Sequence, residues 1–101
     1  MTTKHDTLSI DMIERAARIL KSLGHPTRLA IVEILYNDEK NVTDIQTALG
    51  LPQAVTSQHL RFMERRDILK SRREGVQVFY RLKDEFITQI LECVQRCAQK
   101  L

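Results

Sequence analysis

The connection Gly50-Leu51-Pro52 restricts this chain more than any other feature. It lies between two helical patterns. Gly50 suits the left-handed residue that ends a helix, and Pro52 suits the start of the next one. They break one helix and start another through a tight turn, and residues 43–66 read as a helix-turn-helix. The second helix, expected over 53–66, has two unlike faces. At ~100° per residue, Val55, His59, Phe62 and Met63 are expected to point inward, with Leu60 near the edge of that face. Gln53, Ala54, Ser57, Gln58, Arg61 and Arg65 point outward. The outer face is rich in groups that bond base edges and phosphates, and poor in carboxylates. A helix built this way, entered through a tight turn from a short helix, is what a DNA major groove accepts. The plain alternative is a solvated helix face, but the basic residues continue into the next segment.

The charge distribution supports the groove-binding reading. The formal net charge of the 101 residues is only +3. Residues 61–83, however, hold eight basic side chains against Glu64, Asp67 and Glu74, a local +5, while the segments on either side are each −1. Basic charge concentrated on the outward helix and its successor is the electrostatic footprint of a phosphate-binding surface. Aromatics are 5% and Trp is absent, which argues against stacking on single strands. The length suits one domain, and 43% hydrophobic with 29% charged residues suits a soluble, globular one. Cys93 and Cys97 do not make a secreted disulfide framework. No apolar run approaches the ~18 residues of a membrane span, and the N-terminus is polar where a signal peptide is apolar. A cytoplasmic protein with no membrane partner is expected.

The remaining elements follow in order. Residues 1–7 are polar and expected to fray. Ser9 caps a first helix to about residue 22, with two apolar rows: Ile10, Ile13, Ala17, Leu20 and Met12, Ala16, Ile19, Leu23. Gly24-His25-Pro26-Thr27 breaks it, and a second helix over about 26–36 is apolar almost all round, hence central. Residues 37–41 form a surface turn. Thr43-Asp44-Ile45-Gln46 fits a capping box, with Ile45, Ala48 and Leu49 facing inward. From Ile68 to Leu82 the period changes: Val76, Val78, Tyr80 and Leu82 alternate with Gln77, Phe79 and Arg81 as in a strand. Residues 69–72 pair with that strand across Arg73-Glu74-Gly75, forming a basic hairpin, or wing, over 69–82. Asp84 caps a last helix to about Lys100, again with two apolar rows: Ile87, Leu91, Val94, Ala98, Leu101 and Phe86, Ile90, Cys93, Cys97. Two rows on both terminal helices (8–23 and 84–101) point to pairing of two copies, the alternative being a wide stripe on one core. The fold class is mainly α (α+β): five helices and a two-stranded wing.

Three separated motifs then resemble the ArsR/SmtB family of bacterial repressors over roughly residues 15–100. Leu20-Lys21-Ser22-Leu23-Gly24-His25-Pro26-Thr27-Arg28-Leu29 resembles the family's opening, Gly50 to Leu60 its recognition segment, and Ser71-Arg72-Arg73-Glu74-Gly75 with Phe79-Tyr80-Arg81-Leu82 its wing. The resemblance implies a homodimeric winged helix-turn-helix that binds an operator and releases it when an inducer binds. The family's metal motifs do not carry over. Asn41 and Thr43 stand where a thiolate pair would be. On the last helix Asp84 matches one ligand, but Phe86 replaces the His, Cys97 falls at the later His position and Lys100 replaces the final ligand. Some family members sense oxidants or sulfur species through one Cys in the second helix and one in the last; here Glu33 sits near the former position. That leaves Cys93 and Cys97, spaced i, i+4, either as small buried hydrophobes or as a thiol sensor of oxidant, sulfur species or soft metal.

The expected assignments are therefore these. Gln53, Ala54, Ser57, Gln58 and Arg61 read bases; Thr43, Arg65, Lys70, Arg72 and Arg73 hold the DNA backbone. Ile10, Ile13, Ala17, Phe86, Ile90, Cys93, Val94 and Cys97 form the dimer interface. His59 packs and bonds to backbone, and His25 belongs to the start of the second helix. The partner is double-stranded DNA with an inverted-repeat operator. No cofactor, metal or catalytic set is expected, since no nucleophile–base pair, phosphate loop or carboxylate pair stands at catalytic spacing. The competing class is a winged-helix protein–protein module without DNA binding.

Overall fold

A computed structural model describes residues 7–100. The expected fraying of the first residues and the place of Leu101 in the apolar row fall outside them, apart from residue 7. The elements are α1 (Ile10–Leu23), α2 (Pro26–Ile34), β1 (Lys40–Asn41), α3 (Val42–Leu49), α4 (Gln53–Arg65), β2 (Leu69–Glu74), β3 (Gln77–Leu82) and α5 (Glu85–Ala98). The helix boundaries follow from capping chemistry. Ser9 Oγ accepts the Met12 amide at 3.2 Å, and Asp84 Oδ1 accepts the Phe86 amide at 3.0 Å. Pro26 opens α2, and Gly50 closes α3 with φ 68° in the left-handed region that costs glycine little.

Two expectations around α3 are corrected. The cap is Asn41, whose Oδ1 accepts the Asp44 amide at 2.7 Å; Thr43 lies inside the helix rather than at the head of a capping box. The reason is that the segment expected as a surface turn ends in a strand. Lys40 pairs with Tyr80 and Asn41 with Phe79, so the sheet has three antiparallel strands in the order β1-β3-β2. That pairing keeps the chain extended through Asn41, and the helix starts only after it. Ala48 is exposed, while Ile45 is fully buried and Leu49 half-buried.

The core gathers Ile31, Val32 and Leu35 of α2 and its end, Ile45 of α3, and Leu60 and Met63 of α4. Ile68, Leu69 and Tyr80 of the wing root and Ile87 and Leu91 of α5 complete it, with Ile19 and Leu23 closing one end. Truncating a buried side chain such as Leu60 to Ala costs ~2–5 kcal/mol, so this cluster fixes the pose of α4. The buried face of α4 is rotated from the expected one. Thr56, Leu60 and Met63 are its buried residues, Val55 is exposed, and His59 and Phe62 are half-buried on a flank. Leu60 is central rather than at an edge, because burying Leu60 and Met63 together drags Thr56 in with them. The Thr56 hydroxyl has no hydrogen-bond partner.

After α4 the chain turns at Asp67, a left-handed residue with φ 62°, whose carboxylate meets Lys83 Nζ at 3.3 Å. The hairpin register pairs Arg73 with Val78 and Glu74 with Gln77, leaving Gly75-Val76 as the two-residue turn. The first strand therefore runs on through Glu74, past its expected end, while the second starts only at Gln77, and Val76 is 95% exposed at the tip instead of inside the strand.

A candidate nucleic-acid interface on the reading helix and wing

The α4 helix presents Gln53, Ala54, Gln58, Arg61 and Arg65 to solvent, with Ser57 half-buried. These are the expected outward residues, and their place on one face survives the rotation of the core side. A shallow groove along the helix is lined by Gln53, Ala54, Val55, Ser57, Gln58 and Arg61. A larger hollow lies between α4 and the wing, where Gln53, Ser57 and Arg61 face Thr43, Arg73 and Gln77. A hydrogen bond from Ser71 Oγ to Glu64 Oε2, 2.6 Å, ties wing to helix on the floor of this hollow. Tyr80 is buried at the same wing root, and burial pushes its hydroxyl pKa up.

Neighbouring basic residues of the wing meet different fates. In a strand, successive side chains alternate between faces. Arg73 shares a face with Ser71, Val78 and Tyr80, toward α4. Arg72 and Lys70 take the other face. Arg72 forms ion pairs with Glu39 and, at 3.4 Å, with Glu74, and its guanidinium lies 4.5 Å from the centre of the Phe79 ring. The Arg72 hydrogen bonds hold the Glu39 carboxyl below its ordinary range. Among the described residues Arg61, Arg65 and Arg73 pair with no carboxylate. Of the residues expected to hold backbone, the structure brings Thr43 and Arg73 together with α4 and commits Arg72 elsewhere.

On the far flank of α4, His59 Nδ1 accepts from Arg28 Nε at 3.4 Å, a side-chain partner rather than the expected backbone one. Burial first, then the charges of His25 and Arg28, hold the His59 pKa below the ordinary imidazole value. His25 caps α2, its Nδ1 accepting the Thr27 amide at 3.1 Å.

The terminal helices show a second surface. Only the last turns of α1 are buried, through Ile19, Ser22 and Leu23, while Ile10 is 70% and Ile13 50% exposed and Ala17 is exposed. On α5, Ile87 and Leu91 pack inward, Ile90 is half-buried, and Phe86 (44% exposed), Cys93, Val94 and Cys97 face out. The cysteines are free thiols and are not buried by the chain's own core. No three His, Cys, Asp or Glu side chains among the described residues stand close enough to hold a metal ion. None of the described helices is long and apolar enough to cross a membrane.

Comparison with known proteins converges on the same architecture. Residues 25–71 match the family model described as "Bacterial regulatory protein, arsR family". The chain is 41% identical over 87 residues to the transcriptional repressor PagR of Bacillus anthracis, covering 82% of this chain and 87% of that one. Its fold matches HlyU from Vibrio cholerae with a TM-score of 0.83 at 28% identity, over 89% of this chain and 97% of that one. It also matches the homodimeric winged helix-turn-helix DNA-binding domain of Mb0332 from Mycobacterium bovis, with a TM-score of 0.82 at 26% identity, over 98% and 92%. With the family match, the winged helix-turn-helix architecture and a relative 41% identical over 82% of the chain all in agreement, this protein belongs to the ArsR family of bacterial regulatory proteins.

Proposed function

We propose that two copies of this chain bind an inverted-repeat operator in double-stranded DNA and repress transcription there until an inducer releases them. Gln53, Ala54, Ser57, Gln58 and Arg61 read base edges from the major groove; a Gln amide fits adenine, and Arg61 reaches guanine or phosphate. Thr43, Arg65 and Arg73 hold phosphates. Lys70 and Arg72, on the outer face of the wing, contribute to the general positive field more than to direct contacts. The observation that carries this reading is the hollow between α4 and the wing, where Arg61 and Arg73, neither in an ion pair among the described residues, flank amide and hydroxyl groups, with Glu64 bonded to Ser71 on the floor.

Pairing is supported by α1. A 14-residue helix is marginal alone in water, and this one buries only its C-terminal end on its own chain. Covering Ile10, Ile13 and Ala17 with Phe86, Ile90, Cys93, Val94 and Cys97 of a second copy removes that exposed apolar surface. The homodimeric state of the Mb0332 domain supports the same arrangement. Two-fold symmetry sets half-sites about one turn, ~34 Å, apart.

The test is an Ile13→Asp substitution, read by sedimentation and by anisotropy on duplex from the protein's own upstream region. The expected outcome is a monomer that has lost operator affinity while keeping its helical signal. A dimer that persists with full affinity contradicts the interface. Failure of the wild type to bind any duplex at moderate salt favours a protein–protein module.

A further inference from the structure

We propose a second phosphate site on this molecule: the hollow beside α4 lined by Arg28, Gln58, His59, Phe62 and Arg65 takes a backbone phosphate of the DNA strand opposite the one met by the wing. The inference rests on the DNA-binding reading and deepens it. It starts from groove geometry. A helix with its side chains is ~10 Å across and the major groove ~12 Å wide, so a helix in the groove has a phosphate strand on each flank. At ~100° per residue, Ser57 and Glu64 of α4 face the wing, Gln58 and Arg65 lie on the reading face, and His59 and Phe62 lie beyond it, toward the start of α2. Gln58 borders both the reading groove and this hollow, so the two are continuous.

The chemistry of the hollow selects an oxyanion. Arg28 Nε is a donor only, so His59 Nδ1 must be the acceptor in their 3.4 Å contact, and the ring hydrogen is on Nε2. The remaining polar edge of His59 is therefore a donor. Arg28 is held in place from three sides: by His59, by the Ser22 carbonyl at 3.3 Å from its Nη1, and by the Phe62 ring, whose centre is 3.9 Å from its Cζ. Its charge is thus pre-positioned without a carboxylate, and Arg65 is likewise unpaired among the described residues. Two guanidinium groups, an imidazole and the Gln58 amide line it, and with His59 Nδ1 already bonded to Arg28 the Gln58 oxygen is the one side-chain acceptor left among the lining groups. A metal cation finds no ligand set here; a phosphate finds charge-assisted donors.

The electrostatics carry a signature. Around His59 stand His25, with its ring centre 4.9 Å away, Arg28, Arg65 and, against Phe62, Arg66. Burial, and then the charges of His25 and Arg28, lower the His59 pKa and favour its neutral form in the free protein. A bound phosphate offsets part of that positive charge and favours the imidazolium, so duplex binding raises the proton affinity of His59; the added proton sits on Nδ1 and releases the Arg28 Nε contact, while Arg28 keeps the Ser22 carbonyl and the Phe62 ring.

The experiment follows His59 by long-range proton–nitrogen NMR across pH 5–8, free, with saturating duplex in dilute buffer, and with inorganic phosphate at matched ionic strength. Anisotropy at several salt concentrations is run on Arg28→Gln, Arg28→Lys and His59→Gln. The expected result is an Nε2–H tautomer in the free protein and a His59 titration midpoint that rises with duplex. Arg28→Gln should bind any duplex about tenfold more weakly, with a salt slope shallower by ~0.9, while Arg28→Lys retains most of both. If Arg28→Gln fails to fold, the wild-type His59 titration decides alone. Tight duplex binding with an unmoved His59 and an unchanged slope in Arg28→Gln overturns this site but not the DNA-binding reading. A His59 shift with inorganic phosphate equal to that with duplex, with unchanged duplex affinity in Arg28→Gln, also overturns it. Absence of duplex binding in the wild type overturns both.

Discussion

Arg72 and Arg73 are chain neighbours on the same strand, yet they belong to different parts of the molecule. Arg73 turns toward α4 and faces Gln53, Ser57 and Arg61 with no carboxylate partner among those described. Arg72 turns away, closes on Glu39 and Glu74, and covers Phe79. One charge is available to a ligand; the other is spent on the fold, fixing the wing against the segment before β1. A count of basic residues treats the two alike. The difference teaches that a basic patch is defined by which cations lack an internal partner, and strand alternation decides that residue by residue.

The sharpest way to break this comparison is to remove each charge in turn. Arg73→Ala is expected to weaken binding to every duplex by roughly ten- to a hundredfold, the worth of a charge-assisted bond, and to flatten the salt dependence by about one phosphate. Titration of both variants on operator and scrambled duplex checks it; equal losses for Arg72→Ala would erase the distinction. Gln58→Ala sharpens it from the other side. This change should cost ~1–3 kcal/mol of discrimination between operator and scrambled duplex, with a much smaller loss on scrambled duplex and an unchanged salt slope, since Gln58 is neutral.

Arg72→Ala has the smallest expected effect on DNA, less than that of either change above, and acts instead on the wing. Its pH dependence has a definite sign. Glu39 is held below the ordinary carboxylate range by Arg72 hydrogen bonds, so its contribution is present above that range and is lost as pH falls through the lowered value. Wild type should therefore melt modestly above Arg72→Ala near pH 7, and the two should converge in acid. A gap that widens on acidification would mean that Glu39 is not the partner that matters.

Much of this architecture can be read from sequence because it rests on local chemistry. Ser9 and Asp84 place helix starts through bonds made within three residues, Pro26 and Gly50 act through their own backbone preferences, and the outward face of α4 follows from its period. What escapes is set by distant pairing. The ion pair of Arg72 spans 33 residues to Glu39. The two residues of β1 form a strand only because β3 offers them an edge, and that in turn moves the α3 cap from Thr43 to Asn41. The rotation of α4 escapes for a related reason. Val55 looks more apolar than Thr56, but Leu60 and Met63 together outweigh one methyl group and turn Thr56 inward. The hollow at Arg28 and His59 was hidden too, since its two sides lie 31 residues apart and His59 alone looks like a packing residue.

The account stands on paired copies gripping a duplex through α4 and the cationic groups beside it. Its most direct test is a stoichiometric anisotropy titration of labelled upstream DNA, with the assembly mass taken by light scattering on the same sample. Two protomers per operator, with affinity that falls steeply as salt rises, is the predicted result. A protein that stays monomeric and leaves the duplex untouched in dilute buffer contradicts it.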